Sequence, residues 1–164
     1  MLKLYYAAHT CSLATHIVLE EVGAEYSTVR VDFGKEQQKS ADFLKINPKA
    51  RVPALVTEKG ILTETPAMLV YVAQSFPASR LALMDDPFAF AQVQSFNSYL
   101  CSHLHVAHAH RMRGHRWVDA DDKASASGSL KGRTAADAPM PAVLAGALIG
   151  RIGNGAPFAI GNQS

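Results

Sequence analysis

The apolar positions of this chain fall into short runs and helical repeats that predict an ordered succession of strands and helices, followed by a change of character. Leu2, Leu4, Tyr5 and Tyr6 make residues 2–6 a buried strand. Leu13, Ala14, Ile17, Val18 and Val22 recur at helical spacing over residues 12–22, and Gly23 stands where a left-handed cap ends a helix. Residues 26–32 are rich in β-branched side chains and predict a second strand. Strand, helix and strand make a parallel βαβ unit with a right-handed crossover.

A polar stretch, 34–40, leads into a weak helix over 42–46, and the loop 47–51 delivers the chain to Val52-Pro53. Residues 54–57 and 60–63 are two strands separated by Glu58-Lys59, a hairpin with Gly60 at its turn or bulge. Thr65 as N-cap and Pro66 as the first helical residue open a helix that runs to about Phe76. Its body, 67–73, is apolar almost all round and is therefore expected to be buried.

The pattern divides the chain into a first domain over 1–77, a linker over 78–87 and a second, helical part over 88–164. The linker has Pro, Ala, Ser and acidic residues without periodicity. From Phe88 to Arg113 there is no Gly or Pro, and Phe88, Ala91, Phe96, Tyr99, Leu100, Leu104 and Ala107 predict one long helix. Residues 124–164 hold seven of the eleven glycines and ten alanines. Poor order is expected after about residue 123, because the glycines would fray the two helical turns that 142–149 suggest.

Sixteen basic and fourteen acidic residues leave a net charge of +2, too balanced for nucleic acid or an acidic membrane surface as the natural partner. No run approaches the ~18 apolar residues that span a membrane, and residues 1–6 are too short for a signal peptide. A cytoplasmic protein with a small ligand is expected. Cys11 and Cys101 lie ninety residues apart without a CxxC spacing, which argues for free thiols rather than a zinc site or a disulfide framework.

Cys11 is the first candidate for chemistry. It sits at the entrance of the first helix, where the dipole and the unpaired amides of the first turn favour thiolate and are expected to lower a thiol pKa below ~8.5. Cys101 is read as a packing residue of an apolar helix. His103, His105, His108 and His110 include pairs that share a helical face, but no third ligand accompanies them, so they are read as a polar face and no metal is expected. His9 and His16 are read as local, and Trp117 as packing.

The predicted order βαβαββα is that of an α/β, thioredoxin-like domain. In Cys11-Ser12-Leu13-Ala14 the second thiol of a CxxC pair is replaced by Ala14. A monothiol does not release its own mixed disulfide; it needs an external thiol, and glutathione is the usual cytosolic one.

Residues 2–122 resemble the glutathione transferases, most closely the bacterial beta class. The likeness rests on Lys3-Leu4-Tyr5-Tyr6 through Cys11-Ser12-Leu13 and His16-Ile17, on Phe43-Leu44-Lys45-Ile46-Asn47-Pro48, on Val52-Pro53-Ala54-Leu55, on Leu62-Thr63-Glu64-Thr65, and on a histidine-bearing helix after the linker. Several ordered motifs together make it specific. The resemblance implies that Pro53 is a cis-proline and that Val52 pairs, strand-like, with the cysteinyl part of glutathione. It implies that Glu64 takes the γ-glutamyl amino group and that Thr65, where Ser is usual, takes its α-carboxylate. Cys11 would contact or bond the glutathione sulfur, with Ser12 as the alternative hydroxyl and His105 as a polar donor from the second domain. Lys49 and Arg51 would attract the glycine carboxylate.

The implied activity is conjugation of glutathione to small hydrophobic electrophiles, or thiol–disulfide exchange through Cys11. The alternative is a non-catalytic glutathione-binding domain or an inactive fragment of the enzyme. The family adds a longer helical domain, and the likeness fades at about residue 123, returning at residues 157–163. The expectation is therefore a truncated all-α second domain, with a reading frame shifted between about 124 and 147, and a homodimer only where that domain is complete.

Overall fold

The computed structural model describes residues 1–81 and 85–113. The expectations for the Gly/Ala-rich tail, Trp117 and the shifted frame lie outside the described residues, as does the middle of the linker.

Four strands form one sheet: β1 (Leu2–Tyr6), β2 (Tyr26–Arg30), β3 (Ala54–Thr57) and β4 (Gly60–Thr63), in the order β2-β1-β3-β4. β1 and β2 are parallel, with Leu2 opposite Tyr26 and Tyr6 opposite Arg30. β3 is antiparallel to both β1 and β4, with Leu55 between Leu4 and Leu62. The crossover between β1 and β2 is α1 (Ser12–Glu21), and α2 (Ala41–Ile46) and α3 (Thr65–Ser75) complete a thioredoxin-like α/β domain.

Alternation along β1 splits the core into two layers, because successive side chains of a strand point to opposite faces. Leu4, with Leu2 and Tyr6 beside it, packs with Val18 and Leu19 of α1 and Met68, Leu69 and Val72 of α3. Tyr5 and Ala7 face the other way, toward Val31, Phe43 of α2 and Val52. Leu4, Leu19, Leu55, Met68 and Val72 are wholly excluded from solvent. Each such aliphatic side chain contributes ~1.5–3 kcal/mol over its exposed state.

Several boundaries differ from the sequence expectation. The second strand ends at Arg30 rather than 32, since Asp32 Oδ1 accepts from the amides of Gly34 and Lys35 and turns the chain. α2 starts one residue early because Ser40 caps it, its Oγ accepting from the Phe43 amide. Where the first domain was expected to pass into the linker, Pro77–Ser79 forms a 3-10 turn, and α4 (Pro87–Tyr99) begins at Pro87, capped by Asp86 through the amides of Phe88 and Ala89.

The expected single helix over 88–113 is interrupted. A π-helical turn, Leu100–Leu104, separates α4 from α5 (His105–Arg113). Ser102 Oγ donates to the Ser98 carbonyl, the kind of back-bond that competes with regular helix pairing. The turn buries Leu100 and leaves Cys101 exposed, so Cys101 is not the packing residue that helical periodicity suggested.

Candidate active site

The end of β1, the start of α1, the loop before β3 and the start of α3 come together at one end of the sheet, because β1 and β3 are antiparallel neighbours. Cys11 is the N-cap of α1, half-buried, and its Sγ donates to the Val52 carbonyl at 3.5 Å. The Thr65 side chain also hydrogen-bonds the sulfur.

The local loop is held by hydroxyls. Ser12 is wholly buried; its Oγ donates to the Ala7 carbonyl, accepts from the Ala7 amide and pairs with Thr10 Oγ1 at 2.6 Å. The Ser12 hydroxyl is thus spent on the loop that presents Cys11. His9, at φ 57, turns the chain into that loop.

Burial pushes the Cys11 thiol above its ordinary pKa, and the charge of Glu64 pushes the same way; the Thr65 hydrogen bond and the charge of Arg51 oppose it. The helix-entrance argument anticipated a lowered value. Removing a thiolate from water costs more here than the first turn of α1 returns.

The loop that carries Lys49, Arg51, Val52 and Pro53 is organised by Asn47. This side chain is 1% exposed; its Nδ2 donates to the Arg51 carbonyl at 2.6 Å and its Oδ1 accepts from the Lys49 amide at 3.1 Å. Ala50 lies at φ 55, in the left-handed region, and the Val52–Pro53 peptide is cis. Sequence reasoning read Asn47 as part of a loop and of the family-like block 43–48, with no role of its own. The signal available to it was a short polar residue beside Pro48, which bonds its own neighbourhood.

Glu64 precedes α3 at φ 72, ψ 119, and the helix begins at Thr65. Thr65 is therefore the first helical residue and not the N-cap, and its hydroxyl turns to Cys11 instead of to a backbone amide. A non-glycine residue at positive φ costs of order 1–3 kcal/mol and is held by its surroundings. Lys49 Nζ reaches Glu64 Oε1 at 2.6 Å and Thr63 Oγ1 at 3.1 Å. Both charged partners are more than half exposed, so the pair contributes only ~0.2–1 kcal/mol.

Cys11, Val52, Pro53, Thr65, Glu64 and Lys49 are thus linked by direct contacts or chain neighbourhood, and Arg51 acts on the thiol through its charge. His105 opens α5, half-buried, directly after the π turn. Cys101 lies exposed on the π turn, and burial, followed by the charges of Cys11 and Glu64, pushes its thiol above the ordinary value. No group of three or more side chains able to hold a metal occurs among the described residues, and none of the described helices is long and apolar enough to cross a membrane.

The family model described as Glutathione S-transferase, N-terminal domain, matches residues 1–74. Among solved structures, a glutathione transferase homologue from Sulfitobacter with bound glutathione is 46% identical, with a TM-score of 0.73, over 79% of this chain and 63% of that one. A bacterial beta-class glutathione S-transferase from Sphingomonas chungbukensis is 35% identical, with a TM-score of 0.65, over 78% of this chain and 63% of that one. BphK, a bacterial glutathione S-transferase solved as a ternary complex, is 30% identical, with a TM-score of 0.67, over 86% of this chain and 68% of that one. Glutathione S-transferase GstA of Escherichia coli O157:H7 is 35% identical over 106 residues, 63% of this chain and 53% of its own length. The chain spans about half the length, or less, of the curated relatives it matches. The likeness continues beyond the 74 residues of the domain match and includes a beta-class structure, and the chain belongs to the glutathione S-transferase family.

Proposed function

We propose that this chain binds glutathione around Cys11 and carries out thiol chemistry with it, either activating glutathione for addition to small hydrophobic electrophiles or exchanging disulfides through Cys11. The observation that carries the reading is the meeting of a thiol, the Val52 carbonyl and the Thr65 side chain, with the Glu64 carboxylate next to them. Glutathione in the homologue from Sulfitobacter supports the choice of ligand.

Each part of glutathione has a complement. Val52 pairs strand-like with the cysteinyl unit beside Pro53. Glu64 accepts from the γ-glutamyl ammonium, and Thr65, at the N-terminus of α3, offers its amide and hydroxyl to the α-carboxylate. Lys49 and Arg51 supply positive charge for the glycine carboxylate, and Lys49 divides its time between that group and Glu64. Cys11, protonated at neutral pH, donates its S–H to the glutathione thiolate or, when ionised, takes part in exchange. His105 is the polar donor from the second domain, and Ser12 fixes the loop. A cytoplasmic setting, and a homodimer where the helical second domain is complete, round out the reading, with no nucleic-acid, membrane or metal partner.

The half-length match to curated relatives supports a second reading, glutathione binding without conjugation. Retention of the chain on immobilised glutathione and its release by free glutathione test the common ground; no retention refutes both. Conjugation of a generic aryl halide, lost in Cys11→Ala, supports catalysis, and retention without turnover or exchange supports the binding domain.

A further inference from the structure

Lys49 crosses from the 47–51 loop to the end of β4. Its Nζ lies 2.6 Å from Glu64 Oε1 and 3.1 Å from Thr63 Oγ1, so one ammonium is held by a carboxylate and a hydroxyl that are neighbours in the chain. The lysine starts from a fixed point: its amide donates to Asn47 Oδ1 at 3.1 Å, and Ala50 beside it turns at φ 55. Thr63 is the last residue of β4, and Glu64 leaves the strand at φ 72. The side chains of Lys49 and Glu64 are 52% and 63% exposed. A solute ammonium can therefore reach the same two oxygens, and water can receive the lysine once it is displaced. A lysine ammonium is a compact charge with three donors on a flexible stem, and the ammonium of a γ-glutamyl group carries the same three donors.

We infer that Thr63 Oγ1 and Glu64 Oε1 together form the seat of the ligand's ammonium, that Lys49 fills this seat in the free protein, and that the γ-glutamyl ammonium displaces it. The inference rests on the glutathione reading above and adds Thr63 to the binding residues. It makes Lys49 a specificity-determining residue with two opposed effects on glutathione. At one end of the ligand Lys49 competes for the seat. Once released, it offers positive charge to the glycine carboxylate at the other end. A ligand without the glycine unit meets only the competition, and a ligand without the ammonium leaves Lys49 where it is.

The test is calorimetric titration of the full chain with γ-glutamylcysteine, which lacks the glycine carboxylate, and with its N-acetyl derivative, which lacks the ammonium as well. Lys49→Met and Lys49→Gln are both expected to tighten γ-glutamylcysteine, by up to about fivefold for an exposed ion pair, and to leave the N-acetyl derivative unchanged. Thr63→Val, added to Lys49→Met, is expected to weaken γ-glutamylcysteine roughly threefold through the lost hydrogen bond. An unchanged or weaker affinity in both Lys49 variants overturns the displacement, and the glutathione reading stands if native protein still binds glutathione. Equal tightening of the N-acetyl derivative also overturns it, because no ammonium is then involved. An unchanged affinity on Thr63→Val removes Thr63 from the seat. Native protein that binds neither glutathione nor γ-glutamylcysteine overturns the underlying reading as well. A thermal midpoint close to the native one shows that each variant is folded.

Discussion

Thr65 and Cys11 are joined by a side-chain hydrogen bond across the first turn of α3 and the N-cap of α1. The hydroxyl that would otherwise cap a helix is thereby assigned to a sulfur, and it opposes the burial that keeps that sulfur protonated. The balance of these effects is measurable. Alkylation of Cys11, followed against pH by mass spectrometry, is expected to keep rising beyond the ~8.5 at which an ordinary thiol is half ionised. Glu64→Gln removes a raising charge and moves the profile to lower pH; Arg51→Gln removes a lowering one and moves it to higher pH. Coincident profiles for the three proteins would refute the assignment.

Glutathione affinity is expected to depend on Glu64 and Thr65 in unequal measure. A hydrogen bond to a charged group contributes ~1.5–3 kcal/mol and a neutral one ~0.5–1.5 kcal/mol. Glu64 is largely exposed, which puts it at the low end of its range, so calorimetry is expected to show a loss of about tenfold for Glu64→Gln and a smaller one for Thr65→Val. An unchanged Kd for Glu64→Gln would remove Glu64 from the binding role.

Asn47 is expected to matter as much as the residues it positions. Asn47→Ala withdraws both bonds across the 47–51 loop and leaves the part-buried Arg51 carbonyl and Lys49 amide without that partner, at a cost of about 1 kcal/mol. Urea unfolding measures that loss, and glutathione retention is expected to weaken with it although Asn47 touches no part of the proposed ligand path. Full stability with weakened retention would instead assign Asn47 a direct role.

Ala50 offers the opposite sign. Its φ of 55 costs an L-residue about 1 kcal/mol that glycine does not incur. Ala50→Gly is expected to raise the thermal midpoint by a few degrees, offset in part by the greater freedom of glycine in the unfolded chain. A lowered midpoint would show that the unfolded-state term dominates.

How far these features could be read from sequence depends on their range. Strands and helices of the first domain follow from local patterning: Leu4 lay in a strand read as buried, Val18 on the apolar repeat of α1 and Met68 in a helix body read as buried, and all three are core residues. The thiol position was legible too, since a cysteine just before a helical repeat is an N-cap by spacing alone. Its pKa was not: the lowering influence lies within the α1 sequence, whereas the burial that overrides it comes from the 52–53 loop and α3. Cys101 failed for a related reason. Helical periodicity assumes 3.6 residues per turn, and the π turn breaks that count just before the cysteine. The Asp86 cap, by contrast, was readable as an acidic residue followed by Pro87 and was passed over inside a segment judged a linker.

The antiparallel pairing of β1 with β3 sets one more property of the molecule. Cys11 and the carbonyl it binds are 41 positions apart, and no local segment shields the sulfur unaided. The reactivity of this thiol is therefore a reporter of folding: a small alkylating reagent meets it freely in the unfolded chain and slowly once the central strand pair has closed. Pulsed labelling at Cys11 after dilution from denaturant would time the moment at which the two halves of the sheet come together.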